Sequence, residues 1–184
     1  CGSAGSNTVI IGSGAKSDTS GNVVIGQGAT TTTVGSFQSV VIGHSATNTQ
    51  GSVTVIGDSA TCGSPDSVVI GRLASASNGD QLVAIGKSAT ANGNIHQCVV
   101  IGESSSVTAD YSTVVGQGSS STAANSTVIG QGSSDNGNSC TVLGQGIATP
   151  GTAGFFVAPV LGYNSTGTTT VCLYNTATNE LYYD

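Results

Sequence analysis

A glycine preceded by an aliphatic pair returns along this chain about every fourteen residues, and that period narrows what the chain can fold into. The glycines are Gly12, Gly26, Gly43, Gly57, Gly71, Gly86, Gly102, Gly116, Gly130 and Gly144, spaced 14, 17, 14, 14, 15, 16, 14, 14 and 14 residues apart. The stretch "TVIGQGSSDNGNSCTVLGQG" (Thr127 to Gly146) shows the repetition most plainly. Ten copies cover roughly residues 7–148. A short period with small insertions suits a β-solenoid, one coil per repeat, each coil touching only its neighbours. It does not suit a hexapeptide helix, whose coils are multiples of six. Helical repeats need longer periods and helix-forming residues, and this chain has neither.

Composition agrees. Of 184 residues 28 are Gly, only 7% are charged and 4% aromatic, and Met and Trp are absent. Such a chain has too few large side chains for one conventional globular core. Its Val and Ile are placed too regularly for disorder. A stack of thin coils resolves the conflict, because each coil needs little filling. The net charge of −6 speaks against nucleic acid as a partner. No run of about 18 apolar residues is present, so no membrane-spanning helix is expected. The chain starts at Cys1 with neither Met nor a signal-peptide pattern, so we expect a processed product or a fragment.

Each glycine serves as an anchor for reading the columns of stacked coils. The residue just before it is Ile11, Ile25, Ile42, Ile56, Ile70, Ile85, Ile101, Val115, Ile129 or Leu143. The residue two before is Ile10, Val24, Val41, Val55, Val69, Ala84, Val100, Val114, Val128 or Val142. Adjacent residues of a strand point to opposite faces, so this strand is apolar on both. One face fills the coil. The other forms an apolar stripe ten coils long, too large to leave wet on a soluble monomer. We therefore expect a symmetric oligomer. The core and interface candidates are Val24, Ile25, Val41, Ile42, Val55, Ile56, Val69, Ile70, Ile85, Val100, Ile101, Val114, Val128, Ile129, Val142 and Leu143.

Three places after the anchor stand Ala15, Ala29, Ala46, Ala60, Ala74, Ala89, Ser105, Ser119, Ser133 and Ile147, small enough for a second strand pressed against the first. The residue right after the anchor is polar in every copy: Ser13, Gln27, His44, Asp58, Arg72, Lys87, Glu103, Gln117, Gln131 and Gln145. Stacking makes these a ladder, with His44–Asp58, Asp58–Arg72 and Lys87–Glu103 as expected pairs. The last three form an expected amide ladder. His44, Ser45 and Asp58 resemble a triad in composition only, since no nucleophile elbow surrounds them. Insertions fall in the return segment. "TTTVGSFQS" carries Phe37, "ANGNIHQ" carries Ile95 and His96, and Tyr111 occupies another corner. Phe37, His96 and Tyr111 are the candidate receptor contacts; tucking under the loop is the plainer alternative. No metal site or cofactor motif is expected, because no CxxC pair exists and His44 and His96 are not spaced as ligands. Cys98 and Cys140 share a phase but lie three coils apart, about 14 Å, too far for a disulfide.

The run "SVVIGHSATNTQGSVTVIGDSATCGSPDSVVIG" (Ser39 to Gly71), with "LVAIGKSATANG" (Leu82 to Gly93), resembles the head repeats of YadA-like trimeric autotransporter adhesins. The resemblance covers about three quarters of the chain. It implies a left-handed parallel β-roll, three chains to a unit, with the aliphatic strand facing the threefold axis. From Gly102 onward the first Ala of the pattern becomes Ser, and no stalk heptads appear. The tail differs. "FFVAPV" and then "CLYNTATNELYY" are similar to segments of phage and giant-virus fibre proteins that precede an intramolecular chaperone. That resemblance implies self-cleavage after trimerisation; an end at Asp184 fits such cleavage or an artificial boundary equally.

The expected organisation is an all-β protein: a β-roll of about ten coils over residues 1–150, and an aromatic strand–turn–strand cap or connector over 151–184. The expected function is non-enzymatic. It is a homotrimeric fibre or spike at a virion surface or in the extracellular space, with a cell-surface receptor or glycan as partner and no nucleic acid or membrane insertion. Alternatives are the head of a bacterial trimeric autotransporter adhesin, a self-assembling extracellular filament, and, more remotely, an ice-binding solenoid using Thr30, Thr47, Thr61, Ser75 and Thr90.

Overall fold

A computed structural model describes residues 6–32, 38–137, 139–158, 172–175 and 180–183. Two parallel sheets build a solenoid of about ten coils. The first sheet has 11 strands stacked in chain order, from Val9–Ile11 through Val68–Ile70 to Cys140–Gly144 and Gly154–Ala158. The second has 9 strands of two or three residues, from Lys16–Ser17 to Ser134–Asp135, in the same order. Each of the first nine coils contributes one strand to each sheet, and the last two strands belong to the first sheet alone. Register follows the glycine phase: Val24 pairs with Val41, Val41 with Val55, Val55 with Val69.

The strand alternation divides the aliphatic pair. The residue two before the anchor points inward, and Val24, Val41, Val55, Val69, Ala84, Val100, Val114, Val128 and Val142 are fully buried. The residue just before the anchor points out. Packed inside with the valines, each just before a strand of the second sheet, is the small column of Ala15, Ala29, Ala46, Ala60, Ala74, Ala89, Ser105, Ser119 and Ser133, also fully buried. Two columns further on come Ser17, Thr31, Asn48, Cys62, Ala76, Ala91, Val107, Ser121 and Asp135, likewise buried. One large and one small side chain per layer make a core thin enough for a coil of fourteen residues.

Polar interior groups are matched between coils. Asn22 Oδ1 accepts from the Ser39 N–H at 2.9 Å, Ser39 Oγ from the Val53 N–H at 3.3 Å, and Ser67 Oγ from the Leu82 N–H at 3.0 Å. The same column repeats the arrangement lower down, where Ser126 Oγ accepts from the Cys140 N–H at 3.2 Å. A hydroxyl thus satisfies the backbone donor of the next coil where the sheets leave one unmatched.

Three backbone positions per coil have positive φ. Two are left-handed corners that non-glycine residues also occupy: Ser45, Ser59, Ser88 and Ser104 at one, Gln81, Gln97 and Asn125 at the other, with the bulky Tyr111 there as the strained exception. The third is the anchor. At Gly57 φ is +148°, and a Cβ there would lie 2.3 Å from the carbonyl oxygen of Gly71. Both conformation and space demand glycine.

Insertions leave the sheets untouched. On either side of the longest, the three extra residues between Gly26 and Gly43, strands keep register as Val23↔Val40 and Thr30↔Thr47. In the coil between Gly86 and Gly102, Ile95 is 2% exposed, so this loop tucks its apolar residue inward. Past residue 150 the first sheet gains one more parallel strand in phase, with Thr141↔Phe155, Val142↔Phe156, Leu143↔Val157 and Gly144↔Ala158. Cys172–Asn175 and Glu180–Tyr183 pair antiparallel. Among the described residues no helix is long and apolar enough to cross a membrane.

The anchor geometry generates a graded expectation. Gly57→Ala should destabilise the fold by about 3 kcal/mol or more, through backbone strain and collision together. Gly118→Ala has φ +64° with nothing within 4 Å of the added carbon, and should cost only roughly 1–2 kcal/mol. Urea unfolding of the two variants beside the parent measures the difference.

Candidate functional site

With the interior filled by small side chains, the chemistry available to partners lies on the outside. The outer face of the first sheet carries two columns rather than the one read from the sequence. The residue just before each anchor is joined by the residue three before: Val9, Val23, Val40, Thr54, Val68, Val83, Val99, Thr113, Thr127 and Thr141. Phe155 and Val157 extend both columns onto the eleventh strand. Val9, Ile11, Ile56, Ile101, Ile129, Phe155 and Val157 are exposed, and the remaining members are half-buried by their own neighbours. Of the sixteen core and interface candidates, the Val members of the pair line the interior, and Ile25, Ile42, Ile56, Ile70, Ile85, Ile101, Ile129 and Leu143 line this face. Neither column contains a charge.

The ladder after the anchors forms along one edge of that face. His44 Nδ1 lies 2.8 Å from Asp58 Oδ1, and Lys87 pairs with Glu103. Gln131 Nε2 donates to Gln117 Oε1 at 2.9 Å, and Gln145 Nε2 to Gln131 Oε1 at 3.1 Å. The Asp58–Arg72 step is not formed; Asp58 is taken by His44. Hydrogen bonding and charge from Lys87 hold the Glu103 carboxyl below the usual carboxylate range.

The second sheet presents hydroxyls. Thr30, Thr47, Thr61, Ser75, Thr90, Ser106, Ser120 and Ser134 stand in continuous register. They bond partly among themselves, as in Thr61 Oγ1 to Ser75 Oγ at 3.2 Å.

Of the three candidate receptor contacts, Phe37 lies outside the described residues. His96 and Tyr111 come together on successive coils of one corner, where the Tyr111 N–H donates to the His96 carbonyl at 3.0 Å. Tyr111 is 54% exposed and has φ 55°. A bulky aromatic in the left-handed region is strained, and such strain is a mark of sites held for function. His96 stands between Asp80 and Asp110, a pairing the sequence reading missed. The signal was present: both carboxylates occupy the same corner phase as His96, 16 residues before and 14 after.

Inside the last coils lies Asp135, 1% exposed. Its Oδ2 accepts from Ser121 Oγ at 3.2 Å, and its Oδ1 from the Gly137 N–H at 2.9 Å and Thr149 Oγ1 at 3.1 Å. Burial pushes its titration upward, but the hydrogen bonds from Gly137, Ser126, Cys140 and Thr149 outweigh it, leaving the carboxyl below its ordinary value. Cys62, Cys98 and Cys140 are free and buried. Burial pushes the Cys62 thiol up to about 11 and raises Cys98 and Cys140 as well, so all three remain thiols at neutral pH. Among the described residues no group of three His, Cys, Asp or Glu side chains is arranged to hold a metal ion.

Two outcomes follow from this geometry. Tyr111→Asn removes the strain of an aromatic at φ 55°, and should stabilise the protein by roughly 0.5–1 kcal/mol in chemical denaturation. Asp135 titrates lower when folded than when unfolded, so its contribution is complete above its unfolded value, near about pH 4, and vanishes as pH falls further. Asp135→Asn should therefore flatten the acid limb of a stability–pH profile while leaving the alkaline limb in place.

No protein-family model matches the sequence, and no curated relative does. Among solved structures, the chain is similar to the crystal structure of the collagen-binding domain of the Yersinia adhesin YadA. The TM-score is 0.63 with 24% identity, over 82% of this chain and 81% of that one. That likeness is one of fold: the parallel β-solenoid described above matches the fold of that adhesin head.

Proposed function

We propose that this chain is a non-enzymatic, extracellular, adhesin-like rod that assembles as a homotrimer through the outer face of its first sheet. The observation that carries this reading is the uncharged double column running along all 11 strands of that sheet. An uncharged strip of that length with an unbroken aliphatic column needs a cover, and an identical strip of equal length and pitch matches it coil for coil. Likeness in fold to an adhesin head supports the same arrangement. The remaining surface meets the ligand: the hydroxyl-rich second sheet and the corner displaying Tyr111. The similar Yersinia structure is a collagen-binding domain, so collagen is the ligand to assay first, followed by cell-surface glycans.

A bacterial surface location fits this reading. A second reading, a virion spike, is favoured by one separate observation: "FFVAPV" and "CLYNTATNELYY" resemble viral fibre segments, and the strands Gly154–Ala158, Cys172–Asn175 and Glu180–Tyr183 fall on those motifs. Sequence downstream of Asp184 in the gene separates the two. A stalk and membrane anchor favour the bacterium, and a chaperone-like domain the virus.

Sedimentation equilibrium should return three times the 17.8 kDa chain mass. Paired substitution of Ile70→Asp and Ile85→Asp puts charge in the middle of the strip and should abolish assembly. A stable, folded single subunit for the unaltered chain would overturn the proposal.

A further inference from the structure

The ring of His96 is held between two carboxylates on two different coils. Asp110, on the following coil, accepts twice at Oδ1: from the His96 backbone N–H at 2.7 Å and from Nδ1 at 3.1 Å. Nδ1 therefore carries a proton. The other ring nitrogen, Nε2, faces Asp80 Oδ1 on the preceding coil at 3.7 Å. That oxygen is shut off from solvent and has no hydrogen-bond partner. With the proton on Nδ1, a neutral imidazole turns a lone pair toward a carboxylate oxygen, and two acceptors confront each other with nothing between them. A buried acceptor without a donor is costly. A second proton, on Nε2, removes the conflict, because the imidazolium then donates to Asp110 and Asp80 at once. Shortening 3.7 Å to a hydrogen bond takes a ring tilt of less than about 1 Å.

We propose that Asp80, His96 and Asp110 form a staple across three successive coils that closes in mild acid. The groups facing the ring are consistent with it. Asp80 and Asp110 flank it. On its own coil the Cys98 thiol donates to the His96 carbonyl at 3.3 Å and to the Ala109 carbonyl at 3.2 Å. From the next coil the Tyr111 N–H donates to that same His96 carbonyl. None of these is a cation that would oppose protonation. Ile95, buried beside His96, holds the inserted loop in place. His44 lacks this arrangement, since it meets the single carboxylate of Asp58 in solvent. The staple stiffens the corner that carries Tyr111. It is present when both ring nitrogens carry a proton and is lost when rising pH removes one.

Amide hydrogen exchange on the full chain at pH 7.5 and 5.5, corrected for intrinsic rates, tests this. The Gln97 N–H donates to the Asp80 carbonyl at 3.2 Å and the Tyr111 N–H to that of His96, so these two amides report on the corner. Their protection should rise about fivefold on acidification in the parent protein. Asp80→Asn supplies an amide donor to Nε2 at any pH and should abolish the rise, and Asp110→Asn should weaken it. Ring-nitrogen NMR should show both His96 nitrogens protonated at pH 5.5. Equal pH response in the parent and Asp80→Asn would overturn the staple. So would a ring still unprotonated at Nε2 at pH 5.5.

Discussion

Every coil is tied to the next at one point, where the α-carbon of an anchor glycine packs against the carbonyl of the anchor one coil on. At Gly26, Gly43, Gly57, Gly86 and Gly116 the place a Cβ would occupy lies within 2.4 Å of that oxygen. Close backbone approach at this point sets the phase of every coil relative to its neighbours. Once the phase is set, fourteen columns of side chains line up down the molecule. A slip of one residue would turn each strand over and put the outward isoleucines into the interior.

The columns then divide the work. Valine opposite alanine or serine fills a thin core, and hydroxyls or amides within it serve backbone donors of neighbouring coils. Along the roll the filling changes: Ala, Cys and Val dominate the central coils, whereas Ser119, Ser121, Ser133 and Asp135 fill the last ones. A buried carboxylate is tolerable there because hydroxyls and a backbone N–H surround it. With the interior settled so economically, the outside is free to differ from face to face: apolar on the first sheet, hydroxylated on the second, charged or aromatic at the corners.

The phase of the repeat was legible in the sequence because glycine at the anchor has no substitute. From it followed the coil number, the two-faced strand, the small second column, and the His44–Asp58, Lys87–Glu103 and Gln117–Gln131–Gln145 steps. The outward column of Val23, Val40 and Val68 was not read, because Thr54, Thr113, Thr127 and Thr141 interrupt its apolar character while keeping β-branched shape. The eleventh strand was hidden because Ala158 stands where an anchor glycine is expected. Asp80 and Asp110 escaped notice although each stands six residues before an anchor, as His96 does, because an insertion stretches the Asp80–His96 spacing to 16 and hides the shared phase. Asp58 and Arg72 sit at the right height, yet the nearer imidazole wins the carboxylate.

Because every anchor repeats the same junction, the molecule has no privileged middle. Removing one whole fourteen-residue unit joins two coils that already fit, and duplicating one does the same. Unequal recombination between such near-identical gene segments would therefore lengthen or shorten the shaft in steps of about 4.8 Å. Length along the solenoid axis becomes a quantity that evolution can adjust without inventing a new contact.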